Sequence, residues 1–349
     1  MLQNLELPYM TKDLPGIGGI IKEAYEDFIV EEIAVYEPDD EGQHLLVNLT
    51  REGKTTRDVA RQLSSLLGLR LKNIGFAGLK DKRARATQTF SIPVGHSDQE
   101  SVDYIVDAIG GELPVEVNWA RLHRRKLRAG HLLGNRFTIT VRSLEIPVEE
   151  ALSRVRAISD RLHETGLPNF YGRQRFGHDD KNPWRGFEII KGLRHESDRW
   201  LRRLLVTSYL SLLCNRYLAR RVEEGLFDRV LRGDIAKKYS TGGLFEVEDV
   251  EAEQPRYEAH EISFTAPIYG PKMWEATGPS GELEAGVFKE SGITIEELDR
   301  LHVTGTRRLG RLLPEVEASP RNGGLVLNFT LPKGAYATVV MREFMKTDP

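Results

Sequence analysis

The chain has 349 residues, 40% of them hydrophobic and 29% charged, and a net charge of −3. The length predicts two domains, the composition is that of an ordinary globular enzyme, and no apolar run approaches the roughly 18 residues of a membrane-spanning helix. The single cysteine, Cys214, excludes an internal disulfide and a Cys-based zinc site. With no secretory pattern in the first residues, it predicts a reducing, cytoplasmic location.

In chain order, Tyr25–Val30 and His44–Thr50 predict strands separated by the charged turn YEPDDEGQ. Thr55–Leu67 predicts an amphipathic helix, with Val59, Leu63, Leu66 and Leu67 on one stripe and Gly68 as its stop. A loop rich in glycine and lysine leads to a strand at Thr89–Val94. Arg136–Arg142 alternates, placing Phe137, Ile139 and Val141 on one face and Thr138 and Thr140 on the other. Val148–Thr165 predicts a helix ended by Gly166. Ser197 is the expected N-cap of a long helix through Leu201, Leu204, Leu205, Tyr209, Leu212, Leu213 and Tyr217. Residues 233–292 are acidic, Gly/Pro-rich and weakly periodic. Leu325–Leu331 and Ala337–Met341 then predict two strands. Strands at both ends around a more helical middle predict one domain inserted into another, in an α+β fold with a largely antiparallel sheet.

The net charge hides segregation. Between Val117 and Leu144 stand Arg121, Arg124, Arg125, Lys126, Arg128, Arg136 and Arg142, and no carboxylate. Between Arg70 and Arg85 six cations surround one acid, Asp81. Residues 246–261, by contrast, hold seven acids and one arginine, Arg256. A local basic surface suits a phosphate backbone whatever the average charge, although charge runs are as often solvated faces.

Three segments concentrate chemistry. GFAGLKDKRARATQ, at 75–88, sets Asp81 among Lys80, Lys82, Arg83 and Arg85, cations that favour an ionised carboxylate ready to act as nucleophile or base. The plain alternative is a surface turn with weak ion pairs. RLHRRKLRAGHLLGNRFTITVR, at 121–142, leads a basic run into Asn135 and Phe137, an amide and a ring able to meet an unstacked base. For Phe137 the plain reading is a core residue of its strand. NFYGRQRFG, at 169–177, interleaves aromatics with Arg173 and Arg175. No phosphate loop, dinucleotide fingerprint or metal-ligand spacing is present in the sequence.

At these same segments the chain resembles the TruD family of tRNA pseudouridine synthases. The matches are EDFIVEE, FAGLKDKRARATQ, RRKLRAGHLLGNRF, NFYGRQRFG and LPKGAYATVVMREF, in that order from about Lys22 to the C-terminus. The resemblance implies a pseudouridine synthase catalytic domain with a mixed, mainly antiparallel sheet, interrupted by the family's α/β insertion (TRUD) domain. The implied division is 1–165 and 311–349 for the catalytic domain and 166–310 for the insertion. It implies isomerisation of uridine, at position 13 of tRNA, without metal or organic cofactor; nothing in the sequence itself points to a membrane or an obligate protein partner, so a monomer is expected. Asp81 is then the catalytic aspartate. Phe137 and Asn135 bind the base, and Lys22 stands near the aspartate. By their charge, Lys80, Lys82, Arg83, Arg124, Arg125, Lys126, Arg128, Arg173 and Arg175 are the expected RNA contacts, with Arg194, Arg202 and Arg203 beside them. A non-catalytic tRNA-folding protein on the same fold is the competing expectation. A base-removing glycosidase would call for a second carboxylate, which the sequence does not identify.

Overall fold

The computed structural model describes residues 6–95, 98–321 and 323–347. The chain divides into two compact units, one formed by Gly16–Ala157, Glu315–Ala337 and Phe344–Pro349, the other by Met1–Pro15, Ile158–Pro314 and Thr338–Glu343.

The first unit contains β1 (Phe28–Ala34), β2 (His44–Glu52), α1 (Thr56–Leu66), β3 (Gly75–Phe76), β4 (Arg85–Pro93), α2 (Gln99–Glu112), β5 (Glu116–His123) and β6 (Leu132–Arg142). The helix α3 (Val148–Thr165) leads out of it. The second unit adds β7 (Leu167–Pro168), α4 (Asn182–Ile190), α5 (Arg199–Glu223), β8 (Ile235–Lys238), β9 (Leu244–Glu246), α6 (Val250–Glu258) and β10 (Ile262–Ile268). It continues through α7 (Gly278–Glu290), α8 (Ile295–Arg300), β11 (Thr306–Leu309) and β12 (Arg311–Leu312). The chain then returns through β13 (Glu317–Arg321) and β14 (Gly324–Pro332) to α9 (Ala337–Met345).

The large sheet runs β13-β14-β6-β1-β4-β2-β5, with β3 paired to β4. Among the described residues only β1 with β4 is parallel in this sheet, and its other pairs are antiparallel. The fold is thus α+β with a mixed, mainly antiparallel sheet, as expected. Because side chains alternate along strands, Phe28, Val30 and Glu32 of β1 share a face with Phe137 and Asn135 of β6 and with Ala86 and Gln88 of β4. On that face Leu45, Val47, Leu49, Phe90 and Ile92 pack with Val59, Ala60 and Leu63 of α1 and Val102 and Ile109 of α2. Thr55 caps α1, accepting the Asp58 N–H while the Asp58 carboxylate accepts the Thr55 N–H, a reciprocal cap that fixes where the helix starts. In the second unit β11-β10-β8-β9 form an antiparallel sheet, and α5, with Leu205, Tyr209, Leu213 and Tyr217 buried, packs with β10.

Several expectations change. Ala337–Met341 is the start of a helix rather than a strand. Val340, Met341, Phe344 and Met345 are all buried, a one-face helical spacing that a five-residue window truncates. Asp198 rather than Ser197 caps α5, its Oδ1 accepting the N–H groups of Trp200 at 2.8 Å and Leu201 at 3.0 Å. Tyr25–Asp27 is a 3-10 turn that enters β1 at Phe28, and β4 begins at Arg85, earlier than Thr89. The weakly periodic stretch 233–292 holds three strands and two helices.

Candidate active site

The parallel pairing of β1 with β4 brings two distant segments to one place, since the residues entering each strand arrive at the same end of the sheet. Along the edge of β4, β1 pairs with Arg85–Thr87 and β3 with Phe90 and Ser91. The loop from Ala77 to Ala84 must therefore make a tight excursion between them. It carries Asp81.

Lys22 meets it there. Its Nζ lies 3.8 Å from Asp81 Oδ2, with the two side chains 20% and 41% exposed, and 4.3 Å from the centroid of the Phe28 ring. The separation is that of an ion pair rather than a hydrogen bond. Lys22 has a φ of 62°, a left-handed backbone that disfavours any side chain other than glycine's by about 1–2 kcal/mol. That conformation directs the lysine between the Phe28 ring and the carboxylate. Burial lowers the pKa of the Lys22 ammonium; Asp81 opposes that shift and Arg83 adds to it.

The residue before Asp81 is held from below. Lys80 Nζ is 2.8 Å from Glu32 Oε2, and both side chains are 3% exposed. Gln88 donates to Glu32 Oε2 at 3.3 Å and to the Gly78 carbonyl at 2.6 Å. The Thr56 hydroxyl donates to Gln88 Oε1 at 2.9 Å and accepts the Lys80 N–H at 2.9 Å and Arg51 Nη2 at 3.1 Å. That hydroxyl thus uses its one donor and both acceptor positions. Arg51, itself buried, also reaches the Ala86 carbonyl at 3.3 Å, and burial pushes its guanidinium down to about 10, with Glu32 and Asp58 pulling the other way. The loop backbone is bonded at Gly78 and at Lys80, on either side of Leu79 and next to the partly exposed aspartate.

Lys80, expected as an RNA contact, is instead 3% exposed and paired with Glu32, a position from which it anchors the loop. Sequence reasoning also misses Glu32, Gln88, Thr56 and Arg51. The available signal is alternation, because Glu32 falls on the same face as Phe28 and Val30, where a carboxylate is out of place unless paired.

Phe137 is 6% exposed. Its ring stacks on Phe329 with centroids 5.5 Å apart and meets Phe28 edge-on at 6.0 Å, so one side of it belongs to the core. Phe28 is shared, touching both Phe137 and the Lys22 ammonium. Asn135, two residues earlier and on the same face, is half-buried and its Oδ1 is buried with no hydrogen-bond partner. Gly134 before it lies so close to β14 that an added Cβ would sit 2.2 Å from the Leu331 carbonyl oxygen.

Among the other cations, Lys82 and Arg83 are exposed on the Asp81 loop, and Arg83 reaches the Lys22 carbonyl at 3.5 Å. Arg121 pairs with Asp40 and Arg124 with Glu41, while Arg142 is taken by the buried Asp27 at 2.6 Å. Arg125 and Arg128 are exposed, and Lys126 is half-buried. Arg173 and Arg175 belong to the other unit. There Arg173 pairs with Asp180 at 2.5 Å, and Arg175 donates to Thr207 at 2.6 Å and Ser211 at 3.2 Å. Arg194, Arg202 and Arg203 are exposed in that unit. No group of three or more His, Cys, Asp or Glu among the described residues is placed to hold a metal ion. No helix among them is long and apolar enough to cross a membrane.

Likeness to known proteins places the chain with the pseudouridine synthases, a class of isomerases. The family model described as tRNA pseudouridine synthase D (TruD) matches residues 4–196 and 191–344. The chain belongs to the tRNA pseudouridine synthase D family. A relative from Thermus thermophilus, a tRNA pseudouridine synthase D, is 44% identical over 342 residues, covering 98% of this chain and 92% of the other. One from Anaeromyxobacter dehalogenans is 42% identical over 349 residues, covering 98% and 97%. A crystal structure assigned to tRNA pseudouridine synthase D (TruD) of Methanosarcina mazei superposes with a TM-score of 0.73 at 29% identity, covering 99% of this chain and 97% of that one.

Proposed function

We propose that this chain converts uridine to pseudouridine in tRNA, at position 13, on a base turned out of its stack, with Asp81 as the catalytic carboxylate. The observation that carries the reading is the pairing of a partly exposed Asp81 with Lys22 at 3.8 Å, on a loop whose neighbour Lys80 is buried and anchored. The reaction breaks the bond from the ribose C1′ to uracil N1 and makes one from C1′ to C5, releasing the C5 proton. Nothing is hydrolysed, so one carboxylate suffices where a glycoside hydrolase uses two. Asp81 either attacks C1′ as a nucleophile or takes a ribose proton to open a glycal route. A stacked base hides the reacting edge, which is why extrusion is part of the proposal.

Phe137 keeps the detached uracil from leaving, and Asn135 offers an acceptor to one of its N–H groups, a role suited to its partnerless Oδ1. Lys22 stabilises the Asp81 carboxylate, and Lys82, Arg83, Arg125, Lys126 and Arg128 meet phosphates. The unit containing 158–314 is then the family's insertion, with Arg173 and Arg175 close to its start. Tritium release from tRNA labelled at uridine C5 tests the reading. Asp81→Asn is expected to abolish release while tRNA binding persists. Equal release from both proteins would sink the assignment, binding without release by the wild type would leave a tRNA-folding protein, and free uracil would mark a glycosidase.

A further inference from the structure

Between β5 and β6 the segment Arg124–His131 has no regular structure, yet it is tied down at both ends. Leu127 is buried and its N–H donates to Ser91 Oγ at 3.0 Å. The Gly130 N–H donates to the Ala77 carbonyl at 2.8 Å, and Lys333 Nζ donates to the Gly130 carbonyl at 3.0 Å. Gly75 lets the segment lie directly across β3, since an added Cβ there would stand 2.5 Å from the Leu127 carbonyl oxygen.

This strap and the start of β2 enclose a depression of about 540 Å³ lined by His44, Arg125, Lys126, Arg128 and His131. The volume falls within the roughly 300–1,000 Å³ of small-ligand sites. The lining holds three cations, two imidazoles and no carboxylate. Arg121 and Arg124, just before, are neutralised by Asp40 and Glu41; Arg125 and Arg128 have no ion pair among the described residues. Lys126 gives one N–H to the Lys72 carbonyl and keeps two. His131 Nδ1 bonds the Tyr36 hydroxyl at 3.1 Å, and the Nδ1 of His44 is buried without a partner. Like charges gathered on a fixed strap, with no counter-ion among the described residues, are stabilised when an anion fills the space between them.

We propose that this depression is a phosphate subsite that seats one backbone phosphodiester of the substrate RNA, and that the Gly130–Ala77 bond sets that phosphate's register against the Asp81 loop. The inference rests on the proposed tRNA reading and adds where the backbone is gripped. Arg125 and Arg128 supply the charge, Lys126 and the histidines the hydrogen bonds, and the rigid strap spaces the phosphate from the reacting ribose.

The test compares the full chain with its Arg125→Ala/Arg128→Ala variant, both side chains being exposed and dispensable for packing. tRNA affinity is measured across a salt series, and binding interference is mapped with tRNA ethylated at single phosphates. The variant is expected to bind about tenfold or more weakly at low salt and to lose about one to two units of the log–log salt slope. One ethylated position that weakens wild-type binding should no longer weaken the variant's, and KM for tRNA should rise about in step with the loss of affinity. An unchanged slope with an identical interference pattern overturns the subsite. So does binding of inorganic phosphate that the double substitution abolishes while tRNA affinity is untouched, which would assign the depression to a free anion. Failure of the underlying reading looks different, because then Asp81→Asn would leave tritium release intact.

Discussion

Glu32 and Lys80 form a buried ion pair, 2.8 Å from Oε2 to Nζ, immediately before the residue proposed to carry the chemistry. Removing one partner of such a pair leaves the other charge uncompensated, at a cost of about 3–5 kcal/mol. Glu32→Ala is therefore expected to lower the thermal midpoint strongly. Glu32→Gln keeps an acceptor for Lys80 and a partner for Gln88, so it should fold with a smaller loss. Its deficit should appear in kcat, through a misplaced Asp81, more than in KM. Thermal unfolding together with steady-state tritium release separates the two effects, and a Glu32→Ala protein as stable as wild type would refute the anchoring role.

A second expectation concerns pH. Burial, the larger influence, lowers the Lys22 ammonium below the ordinary lysine value of 10.5, Asp81 opposes it, and Arg83 lowers it further. Raising pH through that lowered value removes the cation beside Asp81, so kcat/KM should be full below it and fall above it. The alkaline limb should thus start below 10.5. Lys22→Arg keeps the charge and should move the limb upward, at some loss of rate because the guanidinium is larger. A pH–rate profile unchanged by that substitution would show that the limb belongs to another group.

How much of this is legible in the sequence depends on the range over which each signal acts. Strands with clean alternation, such as the one through Phe137, Ile139 and Val141, and α3 with its glycine stop, follow local patterns that no partner is needed to reveal. α2 escapes a reading of periodicity because only Val102 and Ile109 on it are buried, too thin a stripe to register. α9 passes for a strand because its apolar residues cluster within a few positions. At the site, the Asp81 loop stands out by composition, but its support does not. Glu32, Thr56 and Gln88 are brought together only when β4 inserts between β1 and β2, an order no local window contains. For the same reason Lys80 looks like one more surface cation in a basic loop.

Asn135 supplies a third test. Its buried Oδ1 makes no hydrogen bond within the chain, so truncation removes no protein–protein bond and relieves an unsatisfied acceptor. Asn135→Ala is expected to keep the wild-type thermal midpoint within about 1 kcal/mol of stability, and to lose about tenfold or more in kcat if that oxygen receives an N–H of the displaced uracil. Stability that collapses while the surviving activity stays normal would reverse the interpretation and make Asn135 a structural residue.

Phe137 poses the sharpest conflict between core and site, because its ring is 6% exposed and stacked on Phe329 at 5.5 Å. Phe137→Ala would empty that space and cost about 3–5 kcal/mol, so its loss of activity would say little. Phe137→Leu is the informative change. It keeps most of the volume between Phe28 and Phe329 at a cost of about 1–2 kcal/mol, yet removes the aromatic face and edge. If the ring retains the detached base, kcat should drop about tenfold or more while tRNA affinity holds, since phosphate contacts elsewhere dominate binding. A leucine variant within about twofold of wild-type kcat would instead confine Phe137 to packing, and the retention of uracil would fall to Phe28, whose ring already touches both Phe137 and the Lys22 ammonium.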